Sequence, residues 1–137
     1  VHTKILRDLF MEEPFNKNHF QELEKLDVAI VGLGLLDAIL PTTSDTWYNF
    51  AVEREELKKN VIGDICGRFI DENNQVADVD IQSRTISIDL NNLKNIPYCI
   101  AVACGRKKKH IARAAIKGGF VNVLMTDEAL ARALLED

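Results

Sequence analysis

Lys108, Asp64 and three glycines, Gly32, Gly34 and Gly105, are the residues whose types and positions could do chemistry together. Gly105 breaks an apolar run at residues 100–104 and is followed by Arg106-Lys107-Lys108-Lys109, which opens a helix. A helix start presents unpaired N–H groups and a partial positive charge, so an anion is favoured there. At about 100° per residue, Ile111, Ala112, Ala114, Ala115 and Ile116 share one apolar face. Lys108 projects near the middle of that face one turn earlier, with Lys107 and Lys109 on its flanks and His110, Arg113 and Lys117 opposite. A lysine so placed is aimed over the edge of a sheet, toward a ligand rather than toward solvent. Gly32 and Gly34 follow the apolar run 28–31, where the chain is expected to turn and where backbone can approach a ligand closely. Asp64, beside Gly63, offers a carboxylate to hydroxyl groups. The set fits a phosphorylated small molecule, since one charge-assisted hydrogen bond contributes about 1.5–3 kcal/mol.

The elements that must position these residues follow from hydrophobic period and punctuation. Residues 2–12 read as a helix with Ile5, Leu6, Leu9 and Phe10 on one side, ended by Pro14. Residues 17–25 read as a second, burying Phe20 and Leu23. The run 28–31 has the continuous apolar character of a central parallel strand. Residues 35–50 lack a period and carry Pro41, Thr42, Thr43, Ser44, Thr46, Trp47 and Tyr48. They could wall a sugar, or form a solvated loop pinned by one buried Trp. A charged helix is expected at 53–60, a strand at 63–70, turn material at 71–74 and a strand at 85–88. Asp89 or Asn91 can cap a short helix before Pro97. After the strand at 100–104 and its helix come a strand at 121–125 and a last helix, headed by Thr126-Asp127-Glu128, that buries Ala129, Leu130, Ala133 and Leu134. Strand and helix alternating at these spacings imply parallel crossovers and an α/β sheet covered on both faces. Ligands of such sheets sit beyond the carboxyl ends of the strands.

Composition narrows the function classes. The 137 residues suit one domain, 47% hydrophobic and 28% charged, as in ordinary globular proteins. A net charge of -4 makes this chain by itself a poor nucleic-acid binder. No apolar run is long enough to span a membrane and no secretory leader opens the chain, so a cytoplasmic protein is expected. Cys66, Cys99 and Cys104 lack a CxxC spacing and the three histidines are far apart, which points to reduced thiols and no metal site. Gly32-Leu33-Gly34 matches only part of the dinucleotide fingerprint, because Asp37 stands where the third glycine belongs, so no cofactor is expected. The first residue is Val1 rather than Met, as expected of part of a longer protein.

Several separated segments resemble one family in its own order: DVAIVGLG, then GDICGRFIDENNQ, the spacing on to Arg84, and NIPYCIAVACGRKKKHIARAAIKGGFVNVLMTDEALARALL. From about Leu23 onward the chain resembles the effector-binding, or sugar-binding, domain of SorC-type (DeoR/SorC group) bacterial transcriptional regulators. The resemblance implies a three-layer, parallel-sheet, Rossmann-like α/β fold similar to glucosamine-phosphate deaminase, ribose-phosphate isomerase and the CoA transferases. It implies that residues 1–137 are the C-terminal part of the effector domain, without the family's DNA-binding helix-turn-helix domain or its upstream glycine-rich phosphate segment. It also implies a phosphorylated sugar or related metabolite as ligand, a dimer or tetramer, and operator DNA bound only through the missing domain. Lys108 matches the family's phosphate-contacting lysine, Asp64 its acidic residue for sugar hydroxyls, and Gly32, Gly34 and Gly105 its strand-end glycines. Cys104 departs from the usual Gly or Ala, and Arg106-Lys107 from the usual acidic or small residues.

Three functions compete. A sensor binds a sugar phosphate and biases a regulator's grip on DNA, with no catalytic residue. A sugar-phosphate isomerase or deaminase on the same fold needs a general base, for which Asp37 and Asp64 are the candidates, neither with an evident partner. An assembly domain binds no small molecule at all. The residues favour the sensor.

Overall fold

The computed structural model describes residues 1–36 and 50–136. Asp37 and the stretch holding Trp47 and Tyr48 lie outside the described residues. The elements in order are α1 (Lys4–Glu12), α2 (Pro14–Leu23), β1 (Val28–Leu35), α3 (Phe50–Asn60), β2 (Gly63–Ile65), β3 (Arg68–Ile70), α4 (Asp80–Ser83), α5 (Leu90–Leu93), β4 (Tyr98–Ala103), α6 (Lys109–Lys117), β5 (Val123–Thr126) and α7 (Glu128–Leu135). One five-stranded sheet runs β3-β2-β1-β4-β5. Strands β1, β4 and β5 are parallel, and β2 and β3 are antiparallel additions at one edge. The Rossmann-like parallel core is therefore present, extended by a hairpin.

That hairpin corrects the single strand expected over 63–70. Cys66 and Gly67 both adopt positive φ, 54° and 76°, as a two-residue hairpin turn requires. The Asp64 carboxylate accepts from the Gly67 N–H at 2.9 Å and holds the turn closed. Cysteine at the first turn position hid the signal, because asparagine or aspartate usually announces such a turn.

A second correction concerns 85–88, which is not a strand. The carbonyls there that a ladder would have used are taken by one side chain. Arg68 donates from Nε to the Ile88 carbonyl (3.2 Å), from Nη1 to Gln82 (3.1 Å) and from Nη2 to Ser87 (2.9 Å). Burial pushes the Arg68 pKa down, and the neighbouring Arg7 adds to this. Replacing it should therefore cost more than a surface arginine. Arg68→Met is expected to lower stability by about 1.5–3 kcal/mol in urea melts, and Arg68→Lys should not restore it, because only the guanidinium fork reaches three acceptors.

The turn expected after β1 at Gly32 and Gly34 is also revised. The strand continues through both glycines to Leu35, because residues 33–35 gain a new partner in β2, with Gly34 opposite Asp64. Capping follows the expectations at the remaining ends: Asp89 accepts from the Asn91 N–H at 2.8 Å and Asp127 from the Leu130 N–H at 2.9 Å.

The main core lies on one face of the parallel strands. Val31, Leu33, Cys99, Ala101 and Ala103 pack there with Ile111, Ala112, Ala114, Ala115 and Leu130 of α6 and α7. A smaller cluster, Leu57, Val61, Phe69, Ala77, Val79 and Ile81, closes around the hairpin. Ile116, expected inside, is 46% exposed, and Ala129 is exposed as well. Among the described residues the other sheet face is not covered. Helices α1 and α2 bury no residue, and Ile5, Leu6, Leu9 and Phe10 stay exposed. No helix among the described residues is long and apolar enough to cross a membrane.

Candidate functional site

β1 and β4 pair in parallel register up to Gly32 opposite Val102, so the turn after β4 opens beside the last residues of β1. Gly105, at φ 89° and ψ 140°, throws the chain out of β4 into a short 3-10 turn, Arg106–Lys108, from which α6 starts. That backbone conformation is one L side chains rarely adopt, so the turn depends on glycine. The 3-10 turn aims Lys108 back across the sheet. Its Nζ donates to the Leu33 carbonyl of β1 at 2.7 Å. The lysine reaches the strand edge as its wheel position implied, although from a 3-10 turn and not from within the α-helix.

Asp64 meets it from the other side. It faces Gly34 across the β1–β2 ladder, and a Cβ on Gly34 would lie 1.7 Å from Asp64 Oδ1. The absence of a side chain at Gly34 is thus what admits the carboxylate. Burial raises the Asp64 pKa, while the Gly67 N–H and the Lys108 charge pull it back. Gly32 has no neighbour within 4 Å of where a Cβ would sit, so the strand is open to solvent at that point. Lys108, Asp64 and Gly34 therefore come together at the carboxyl end of β1, with Gly32 two residues earlier on the same strand.

Gly105 joins them through its conformation alone. Its N–H is already taken by both carboxylate oxygens of Asp127, each at 3.1 Å. Asp127 also caps α7, and these N–H contacts hold its carboxyl below the usual carboxylate range. Sequence reading saw only the helix cap. The second role follows from β5 lying parallel beside β4, so that Asp127 emerges next to the β4 turn. Of the flanking basic residues, Arg106 pairs with Glu136 at 2.6 Å, and Lys109 donates to the Glu136 carbonyl at 2.6 Å. They brace the C-terminal helix, while Lys107 is exposed and Lys108 is the one of the four whose ammonium contacts β1 among the described residues.

A separate cleft of about 310 Å³, lined by Arg7, Phe20, Arg68, Ser87 and Asn92 among others, contains none of the five residues. Cys66 and Cys104 are exposed and Cys99 is buried. Although Cys66 is an exposed residue, the protein around its thiol partly desolvates it; this, with the Asp64 charge, pushes the thiol up, which works against thiolate chemistry. Among the described residues no group of three or more His, Cys, Asp or Glu could hold a metal ion.

A family model described as "Putative sugar-binding domain" matches residues 1–136. The chain belongs to the SorC-type sugar-binding domain family. The sorbitol operon regulator of Klebsiella pneumoniae is 31% identical over 96% of this chain and 42% of its own length. The transcriptional regulator LsrR of Escherichia coli is 37% identical over 80% of this chain and 35% of its own. Among solved structures, the sugar-binding domain of a transcriptional repressor from Vibrio fischeri superposes with a TM-score of 0.90 at 28% identity, over 98% of this chain and 54% of that one. The full-length sorbitol operon regulator from K. pneumoniae gives 0.84 at 29%, over 99% and 44%. This sugar-binding domain thus spans less than half the length of its curated relatives. Those relatives are regulators, which favours the sensor over an isomerase or deaminase.

The electrostatics of Asp64 yield a prediction for this domain. Its folded pKa lies above the unfolded value, so its contribution to stability is full below the ordinary carboxylate range and is lost as pH rises through the raised value. Asp64→Asn removes that loss while keeping an acceptor for the Gly67 N–H. Melting curves from about pH 4 to about pH 7 should fall less for the variant than for the parent. Equal slopes would remove burial of Asp64 as a source of strain.

Proposed function

We propose that the domain binds a phosphorylated sugar, with Lys108 taking the phosphate and Asp64 the hydroxyls, and that this occupancy regulates transcription. The observation that carries the reading is the Lys108 ammonium lying over the end of β1 beside a half-buried carboxylate. A cation and an acceptor at the carboxyl edge of parallel strands suit a ligand that is anionic at one end and hydroxylated at the other. Gly32 and Gly34 keep side chains out of the approach, and Gly105 sets the turn that delivers the lysine. The resemblance supports a cytoplasmic dimer or tetramer whose helix-turn-helix domains hold operator DNA. Ligand then acts by its differential affinity for DNA-competent and DNA-incompetent states.

Thermal shift of the full-length gene product against a panel of sugar phosphates and their dephosphorylated forms tests this. At least one phosphate ester should raise stability with concentration, by about 2.7 kcal/mol at a hundred times Kd. Its dephosphorylated form should do far less, and neither should be converted to product. A flat response to every member of the panel would sink the sensor, and turnover of any member would replace it with an enzyme.

A further inference from the structure

The turn that delivers Lys108 has no packing at its first residue. Gly105 adopts φ 89°, the 3-10 turn after it has no side-chain cap, and among the described residues nothing but its chain neighbours lies within 4 Å of where a Gly105 Cβ would sit. Glycine is free to take several other conformations, so hydrogen bonds rather than packing must fix this one. The Gly105 carbonyl accepts from the Lys108 N–H at 3.0 Å and closes the 3-10 turn. The Gly105 N–H goes to Asp127, 3.1 Å from each carboxylate oxygen. Contacts therefore run unbroken from the start of α7 through Gly105 to Lys108, and from Lys108 Nζ to the Leu33 carbonyl of β1 at 2.7 Å. Capping α7 requires only Oδ1 of Asp127, which accepts from the Leu130 N–H at 2.9 Å, whereas Oδ2 accepts from Gly105.

Given the phosphate role proposed for Lys108, we infer that Asp127 is a positioning residue of the sugar-phosphate site, holding the Gly105 peptide so that Lys108 waits where phosphate is taken. Asp127 acts through Gly105 and touches no ligand. Fixing a long side chain in advance removes the ordering cost that the ligand would otherwise meet. The far end of α7 grips the same turn by separate contacts, Arg106 with Glu136 and Lys109 with the Glu136 carbonyl. Loss of the Asp127 contact should therefore release Lys108 while α7 stays in place. Ser, Asp and Asn are comparable helix caps, which lets the two roles of Asp127 be separated. Asp127→Ser can still accept from the Leu130 N–H but is too short to reach Gly105 as well. Asp127→Asn loses the same charge yet keeps an Oδ1 placed to accept from both N–H groups.

Trace acetylation of the full-length gene product, read lysine by lysine by mass spectrometry, tests this without any ligand. In the parent, Lys108 should react more slowly than the exposed Lys107. In Asp127→Ser its rate should rise toward that of Lys107, while Lys109, tied to Glu136, keeps its parental rate. Asp127→Asn should stay near the parent. Inorganic phosphate added to the same reaction should protect Lys108, and its half-protecting concentration should rise about threefold to tenfold in Asp127→Ser, the cost of ordering one mobile side chain. An unchanged Lys108 rate in Asp127→Ser would overturn the inference. Equal release of Lys108 and Lys109 would overturn it too, by reducing Asp127 to a support of α7, and so would Asp127→Asn behaving as Asp127→Ser, because loss of charge would then suffice. If phosphate gives no protection in the parent while Asp127→Ser still frees Lys108, the phosphate role of the lysine falls and its positioning by Asp127 stands.

Discussion

Lys108→Ala should weaken binding of the stabilising sugar phosphate about tenfold to a hundredfold, the loss of about 1.5–3 kcal/mol expected for a charge-assisted hydrogen bond. The fold should scarcely notice. Lys108 is only half buried, and among the described residues its ammonium donates to a carbonyl near a strand end that water can reach once the side chain is gone. Binding isotherms and urea melts of the same preparation separate the two effects. Lys108→Arg should recover part of the affinity through its retained charge, yet the longer, planar head cannot reproduce the contact with the Leu33 carbonyl. Lys107→Ala provides the comparison: its side chain is exposed, and its removal should leave affinity within about twofold of the parent, as surface changes usually do. If Lys107→Ala instead gives the larger loss, the assignment of the phosphate contact moves to the flank of the turn.

The second large effect is a contrast between two glycines on adjacent strands of one ladder, Gly63 opposite Leu35 and Gly34 opposite Asp64. A Cβ on Gly63 would stand 2.4 Å from the Gly34 carbonyl and 2.9 Å from Ile111 Cγ1. One neighbour is backbone and the other is a side chain with no exposed surface, so neither can yield. Gly63→Ala is therefore expected to cost about 1–3 kcal/mol or more, with the hairpin pushed off β1. The three atoms nearest a Cβ on Gly34 all belong to the Asp64 side chain, which can move away at the cost of its bond from the Gly67 N–H. Gly34→Ala should cost less stability than Gly63→Ala, the loss of one bond from the Gly67 N–H, and should lose affinity for ligand, because the carboxylate leaves its position opposite β1. Calorimetric melts with and without ligand would show opposite patterns for the two variants. Equal loss of stability in both would mean that Asp64 is held more tightly than its environment indicates.

Much of the fold was legible because it is written in local period and punctuation. The apolar runs at 28–31 and 100–104, the wheel face of Ile111, Ala112, Ala114 and Ala115, and the caps Asp89 and Asp127 need only their neighbours in sequence to be recognised. The misread segments are those where a distant residue overrides local character. Residues 85–88 look like a strand by composition, and Arg68, far upstream, draws their carbonyls out of any ladder. Residues 63–70 look like one strand because the turn signal rests on a cysteine in a left-handed conformation.

For the site, the sequence by itself determined that a glycine and a lysine would follow the strand at 100–104; it set Gly32, Gly34 and Asp64 at strand ends, whereas the structure has them within β1 and β2. Helical period, glycine's freedom and the preference of carboxylates for turns are all local properties. Only the tertiary structure decided which of these ends meet. Lys108 finds the Leu33 carbonyl, Asp64 settles over Gly34, and Asp127 takes the Gly105 N–H because strand order and register bring distant segments side by side. The open face of β1, β4 and β5 is likewise invisible to periodicity. A continuous apolar run announces burial on both sides, and the paired strands alone reveal which side these residues leave uncovered.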